Sequence, residues 1–259
     1  MPLPRLHLFE LADQPWFPAT IRDFVTDYLR FVETRFALHK SVIPLLKAAL
    51  EQSGSSYMVD LCSGAGGPVL GVYEVLAADG IRVQIMLTDR YPNLAAFHRM
   101  SVLHPSGITY SANPVDATDV PAELWGLRTM FNAFHHFAPE RARLVLASAV
   151  SARNPIAIFE IPQRTLSAIL PLLLTPLLVA IATPFIRPFR WSRLLWTYVF
   201  PLVPLTCWWD GLVSQFRAYT VAELLELTRG MEDFEWKAGR VGLGSVPGQL
   251  TYLWGTPKT

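Results

Sequence analysis

Apolar residues at Ile21, Phe24, Val25, Tyr28, Val32 and Phe36 recur with the spacing of one helix face. They predict a helix from Pro18 onward, and a shorter one follows Pro44 and stops at QSGSS (52–56). Then the period changes. The runs YMVDL (57–61), RVQIMLTD (82–89), ITYSA (108–112), LRTMFNAF (127–134) and IAIFEI (156–161) read as buried strands. Between them PVLGVYEVLAAD (68–79), closed by Gly80, and LAAFHRMSVLH (94–104) read as helices, as does the stretch from Pro139 to about Arg153.

This alternation predicts an α/β fold: a doubly wound, mostly parallel sheet with helices on both faces. FEWKAGRV (234–241) and LTYLWGT (250–256) add an antiparallel pair at the C-terminal end. Thr220 and Glu223 form a capping box ahead of LLELTRG. Ligands in such sheets bind beyond the C-terminal strand ends. That directs attention to Asp60–Gly67, Asp89 with Arg90, Asp116, Asn132–His136 and Glu160.

The alternation breaks after Glu160. Residues 165–186 carry no charge, RPFRWSR (187–193) brings three arginines, and residues 194–209 are again uncharged. This predicts three segments: an N-terminal helical cap (1–53), a sheet domain (54–161 and 218–259) and an apolar helical insertion (162–217).

Composition adds limits. A net charge of +1 gives no concentrated basic surface for nucleic acid. Two cysteines, Cys62 and Cys207, make neither a disulfide framework nor a metal signature, which suits a reducing, cytoplasmic setting. The first residues are acidic and lack the apolar core of a signal peptide. Half of the residues are hydrophobic (51%), and the excess lies in the insertion.

The loop VDLCSGAGGP (59–68) holds the chemistry. It lacks the lysine of a P-loop. Gly64 and Gly66 supply two of the three glycines of a dinucleotide fingerprint, with Asp89 placed for a ribose, so an NAD-type oxidoreductase is one reading; the chain has no Tyr-x-x-x-Lys set for hydride transfer. In order, the same residues fit another ligand. Asp60-Leu61-Cys62-Ser63-Gly64-Ala65-Gly66 is followed by Asp89 in LTDRYPN, Asp116 in VDAT and the histidines of FNAFHHF. On these motifs the chain resembles the class I S-adenosylmethionine (SAM)-dependent methyltransferase family, over about residues 54–160 and 218–256. That family's first motif is D-x-G-x-G-x-G, and Cys62 stands where its first glycine belongs.

The resemblance implies a Rossmann-like fold and SAM as cofactor. Asp60 would face the ammonium group, Asp89 the ribose hydroxyls, and Asp116 the adenine amino group with Ala117 beside the ring. Cys62, Ser63, Gly64, Gly66, Arg90 and Asn132 complete the cofactor set. Simple turn-capping is the competing role for the carboxylates. His135 and His136 lie where acceptors sit in this fold, and either would serve as base for a hydroxyl acceptor; packing is their competing role. No metal is expected, because two adjacent histidines bring no further ligand at a familiar spacing. Glu160 points either at the cleft or at Arg164. Cys207 and Trp208–Trp209 line an apolar wall. Cys62 is expected to adapt without strain and without a redox role; a positive φ there would count against the SAM reading. By analogy with the family, the N-terminal helices cover the cofactor cleft.

The insertion suggests the acceptor. Its 22 uncharged residues are long enough to span a bilayer, and prolines 171, 176 and 184 interrupt them. It reads as a lid over an apolar pocket, a monotopic membrane patch or a spanning hairpin, with a dimer interface as the alternative. The first three imply a small hydrophobic or lipid-like acceptor, and two of them a membrane-associated enzyme. A methyltransferase-like, non-catalytic membrane-associated binding protein is the other outcome.

Overall fold

The computed structural model describes residues 3–244 and 246–258. The predicted strands form at β1 (Tyr57–Asp60), β2 (Gln84–Leu87), β3 (Ile108–Tyr110), β4 (Leu127–Phe131), β5 (Ile156–Glu160), β6 (Phe234–Gly242) and β7 (Gln249–Pro257). They make one seven-stranded sheet in the order β3-β2-β1-β4-β5-β7-β6. β1 to β5 are mutually parallel, and β7 inserts antiparallel between β5 and β6. Register sets Asp60 beside Leu87 on one side and Thr129 on the other, so the C-terminal ends of the central strands are level.

Successive strand residues point to opposite faces, and each face has its own core. Met58, Ile85 and Phe159 pack with α2 (Ile43–Ser53), α3 (Gly67–Ala78) and α4 (Leu94–Leu103). Val59, Met130 and Ile158 pack with α5 (Pro139–Ser151) and α10 (Val221–Leu227). The capping box at Thr220 and Glu223 starts α10 as expected.

A third core joins the two ends of the chain that sequence reading treated separately. α1 (Ala19–Phe36) buries Ile21, Phe24, Val25 and Tyr28 against Val179, Ile186, Val203 and Cys207 of the insertion. Phe36, placed on the same face by its spacing, is exposed, because the chain turns at Ala37 (φ 49°) before that face is covered. Arg193 and Asp27, both buried, pair at 2.5 Å across this seam.

The insertion is not one helix. It runs through α6 (Leu166–Ile169), a 3-10 turn, α7 (Thr175–Ala182), a second 3-10 turn, α8 (Trp191–Leu194), a π turn and α9 (Leu202–Arg217). Pro171, Pro176 and Pro184 each fall in the first two positions of a segment, where a missing N–H costs nothing, so they divide the run rather than abolish it.

Candidate functional site

The glycine loop links β1 to α3 at the C-terminal edge of the sheet. Three of its residues are left-handed: Cys62 (φ 57°), Gly64 (φ 55°) and Gly66 (φ 73°). The expectation for Cys62 therefore fails, and this position does not support the SAM reading. It holds a conformation that favours glycine, at a cost of about 1–2 kcal/mol, so the loop keeps its path with a strained residue at the substituted position. Burial, with the charges of Asp89, Asp60 and Asp116, pushes the Cys62 thiol well up, which favours its protonated form.

The two glycines serve different ends. A Cβ on Gly66 would lie 2.0 Å from the Met100 methyl carbon. A Cβ on Gly64 would meet nothing within 4 Å, so the loop faces open space there. α3 starts at Gly67 with no side-chain cap on its first N–H groups. A cradle of open space beside an uncapped helix start suits an anionic or zwitterionic ligand.

The three carboxylates stand where the sequence put them, and each is already engaged. Asp60 is 2% exposed; its two oxygens accept from the hydroxyls of Ser63 (2.6 Å) and Thr129 (2.8 Å). Burial pushes its pKa up to about 7 against the pull of those hydroxyls, with the Asp89 charge adding to the rise. Asp89 accepts from the amides of Gly64 and Tyr91, both at 2.8 Å. It is half-buried and keeps unused lone pairs. Asp116 accepts from the Thr118 amide (2.9 Å) and hydroxyl (2.7 Å), and Arg141 and Arg90 stand 3.1 and 3.8 Å from its other oxygen. Burial raises its pKa, but these partners outweigh it and hold the carboxyl below its ordinary value. Ala117 is buried beside it. Asn132 is left-handed (φ 52°), and its side-chain oxygen takes the Ile161 amide at 2.8 Å, bracing the ends of β4 and β5. Asn132 also lines a narrow cavity with Glu33, His39, Phe131, Phe159 and Ile161.

The histidine pair is embedded in a charge network that the sequence did not reveal. His135 is buried, with Nδ1 2.5 Å from Glu160, whose other oxygen accepts the Phe134 amide at 2.7 Å. Glu160 is thus the partner of His135, while Arg164 pairs with Glu223. His135 Nε2 is buried without a hydrogen bond, 3.8 Å from Glu10. His136 Nδ1 stands 2.9 Å from Asp13 and 3.4 Å from Glu10. Burial alone would lower its pKa, but the two carboxylates hold it up at about 9. Arg217, on the last turn of α9, bridges Glu10 (3.2 Å) and Asp13 (2.7 Å).

These carboxylates come from residues 3–17, which run along α9 as a strap. Asp210 accepts the amides of Leu11 (2.7 Å) and Ala12 (3.0 Å), and the Arg217 side chain donates to the Leu8 carbonyl at 2.7 Å. Arg5 stacks over Tyr219 and donates to the Phe137 carbonyl at 3.0 Å. Sequence reading found no third ligand beside the histidines; the fold supplies one, since Glu10, His135 and His136 bring potential ligand atoms within 4.8 Å of one another. Arg217 already provides a cation to the same carboxylate. The acidic FELADQP stretch (9–15) was the available signal, but its partner lies some 200 residues away in sequence.

No protein-family model matches the chain, and no curated protein sequence does. Solved structures match over nearly all of it. The plantazolicin methyltransferase BpumL in complex with SAH is 13% identical, with 96% of this chain and 94% of that chain covered and a TM-score of 0.59. BpumL with a triazolic desmethylPZN analog and SAH gives 14%, 96%, 95% and 0.60. BamL with the same kind of analog and SAH gives 10%, 90%, 90% and 0.51. The chain has the class I methyltransferase fold: Rossmann-like, with the antiparallel β7 and an apolar helical insertion.

Proposed function

We propose that this protein transfers a methyl group from SAM to a small hydrophobic or lipid-like acceptor. The observation that carries the reading is the open space at Gly64, whose amide is pinned to β2 by Asp89 at the sheet's C-terminal edge. The fold match to methyltransferases solved with SAH supports it.

In this reading Gly64 and the first turn of α3 hold the carboxylate end of the cofactor. Asp89 uses its remaining lone pairs for the ribose hydroxyls, and Asp116 with Ala117 bounds the adenine. Asp60 lies under the loop, where an incoming ammonium would favour its ionised form, its proton passing to solvent. SAM supplies an already activated methyl group, so the chain's task is to hold the acceptor in line and exclude water.

The two histidines divide their roles. His136, held by Glu10 and Asp13, stays an imidazolium near neutral pH and has no lone pair to offer there. His135 Nδ1 lies against Glu160; with its hydrogen on that nitrogen, the Nε2 lone pair would be the one to accept a proton from a hydroxyl acceptor. Glu10 covers that nitrogen, so residues 3–17 shift before the acceptor reaches it. The apolar insertion and its exposed leucines favour a hydrophobic acceptor.

Calorimetric titration with SAM, SAH and NAD tests the reading. Saturable binding of SAM and SAH is expected; binding of NAD without SAM would overturn it.

A further inference from the structure

The insertion closes on the rest of the molecule with one face only. Its inner residues Val179, Ile186, Val203 and Cys207 pack on α1, and Asp210 and Arg217 of α9 hold the strap over the histidines. The outer face is uncovered. Leu166, Leu170, Leu173, Leu177, Ile181 and Phe185 fall on one stripe of the Leu166–Phe185 run and are all more than half exposed. Only 22% of that run's most apolar window is buried. Trp191 (78% exposed), Tyr198 and Phe200 continue the surface beyond the run. A monomer in water rarely leaves a continuous apolar patch of this kind uncovered.

Charge indicates what covers it. Residues 161–209 contain four arginines and no acidic residue. Arg164 and Arg193 are buried and paired with Glu223 and Asp27 from outside the insertion. Arg187 and Arg190 flank the aromatic end; Arg187 is exposed and among the described residues has no ion pair, while Arg190 is half-buried over the Phe24 ring of α1 at 5.9 Å. Aromatic rings and an exposed arginine at one margin of an apolar stripe match the level of lipid headgroups. A second copy fits less well, because a two-fold contact sets the patch against itself and provides no anion for Arg187. Crossing the bilayer is opposed by the inner face, which is fastened to α1 through the buried Arg193–Asp27 pair and is not available to lipid.

We propose that the outer face of α6 to α8, with the start of α9, docks this protein in the surface layer of an anionic lipid bilayer. Leucines of the 166–185 stripe enter the acyl boundary, and the exposed Arg187 meets anionic headgroups. This surface does not depend on the methyl-transfer reading.

Co-sedimentation of the full chain with vesicles tests it, using phosphatidylcholine alone and phosphatidylcholine mixed with phosphatidylglycerol. Binding is expected to be stronger on the mixed vesicles. The double variant Leu173→Glu/Leu177→Glu changes only exposed positions and should retain the wild-type melting temperature while binding falls by about tenfold or more. Arg187→Gln should lose about fivefold of the preference for phosphatidylglycerol and keep the weaker binding to phosphatidylcholine. Failure to sediment with either vesicle at low salt would overturn the proposal. So would binding that ignores the leucine substitutions, or a stable dimer dispersed by them in a protein that does not bind vesicles.

Discussion

The backbone amide of Gly64 donates to the Asp89 carboxylate at 2.8 Å, joining the turn after β1 to the end of β2. One side chain thereby fixes the cradle's floor and stands at its rim. Asp89→Ala should weaken SAM binding at least about tenfold, because it removes both a loop tether and an acceptor for the ligand. Asp89→Asn keeps one carbonyl oxygen and should fall between the two. Calorimetry on the three proteins gives the ranking.

Cys62 tests whether the loop's path is set by its residues or imposed on them. Cys62→Gly should leave stability within about 1 kcal/mol of wild type, since relief of the left-handed strain is offset by greater freedom of the unfolded chain. Cys62→Val should cost about 2 kcal/mol or more, because a β-branched residue fits that conformation worst. Urea unfolding of both variants measures the difference.

Two groups give stability opposite signs of help across pH from those of ordinary carboxylates. Asp60 titrates near 7 in the fold against 3.8 unfolded, so the folded state holds the extra proton between them and stability falls as pH rises through that window. A ligand ammonium beside Asp60 favours its ionised form, so SAM affinity should rise as pH passes 7. Asp60→Asn should remove that rise. Titrations across a pH series report both effects.

His136 acts over a higher window. Its folded pKa of about 9 lies above the unfolded 6.5, so its contribution is complete below 6.5 and is lost as pH rises through 9. The melting temperature should decline over this range, and His136→Gln should flatten the decline while lowering stability at pH 6.

Arg217 holds the strap's two carboxylates. Arg217→Met should destabilise by about 3–5 kcal/mol, since it leaves the buried Glu10 and its neighbour Asp13 to share the single cation of His136. The Glu10→Gln/Arg217→Met double variant should recover part of the loss. Hydrogen exchange at residues 8–13 should accelerate in the single variant and slow again in the double, locating the effect in the strap.

Much of this was legible along the chain. Period and punctuation gave the strands, the capping box at Thr220 and the positions of Asp60, Asp89 and Asp116, because strand burial and turn chemistry are local properties. The ordered motifs pointed to the class I methyltransferase fold. The conformation of Cys62 was not legible: neighbouring residues in sequence do not decide between the two backbone basins, and only the folded loop shows the left-handed one. Nor was the choice of partner for Glu160. Arg164 lies four residues away, yet the β5 end turns Glu160 toward His135 while Arg164 reaches Glu223.

The sequence by itself determined which segments are strands, where the ligand loop lies and that an uncharged, proline-divided stretch interrupts the sheet domain. Tertiary structure alone decided that this stretch buries one side on α1 and turns its leucines outward. It alone decided that Glu10, Asp13 and Arg217 enclose His135 and His136. Those contacts join residues from 123 to 209 positions apart, and no local spacing encodes a meeting that depends on the packing of α9 across the sheet's edge.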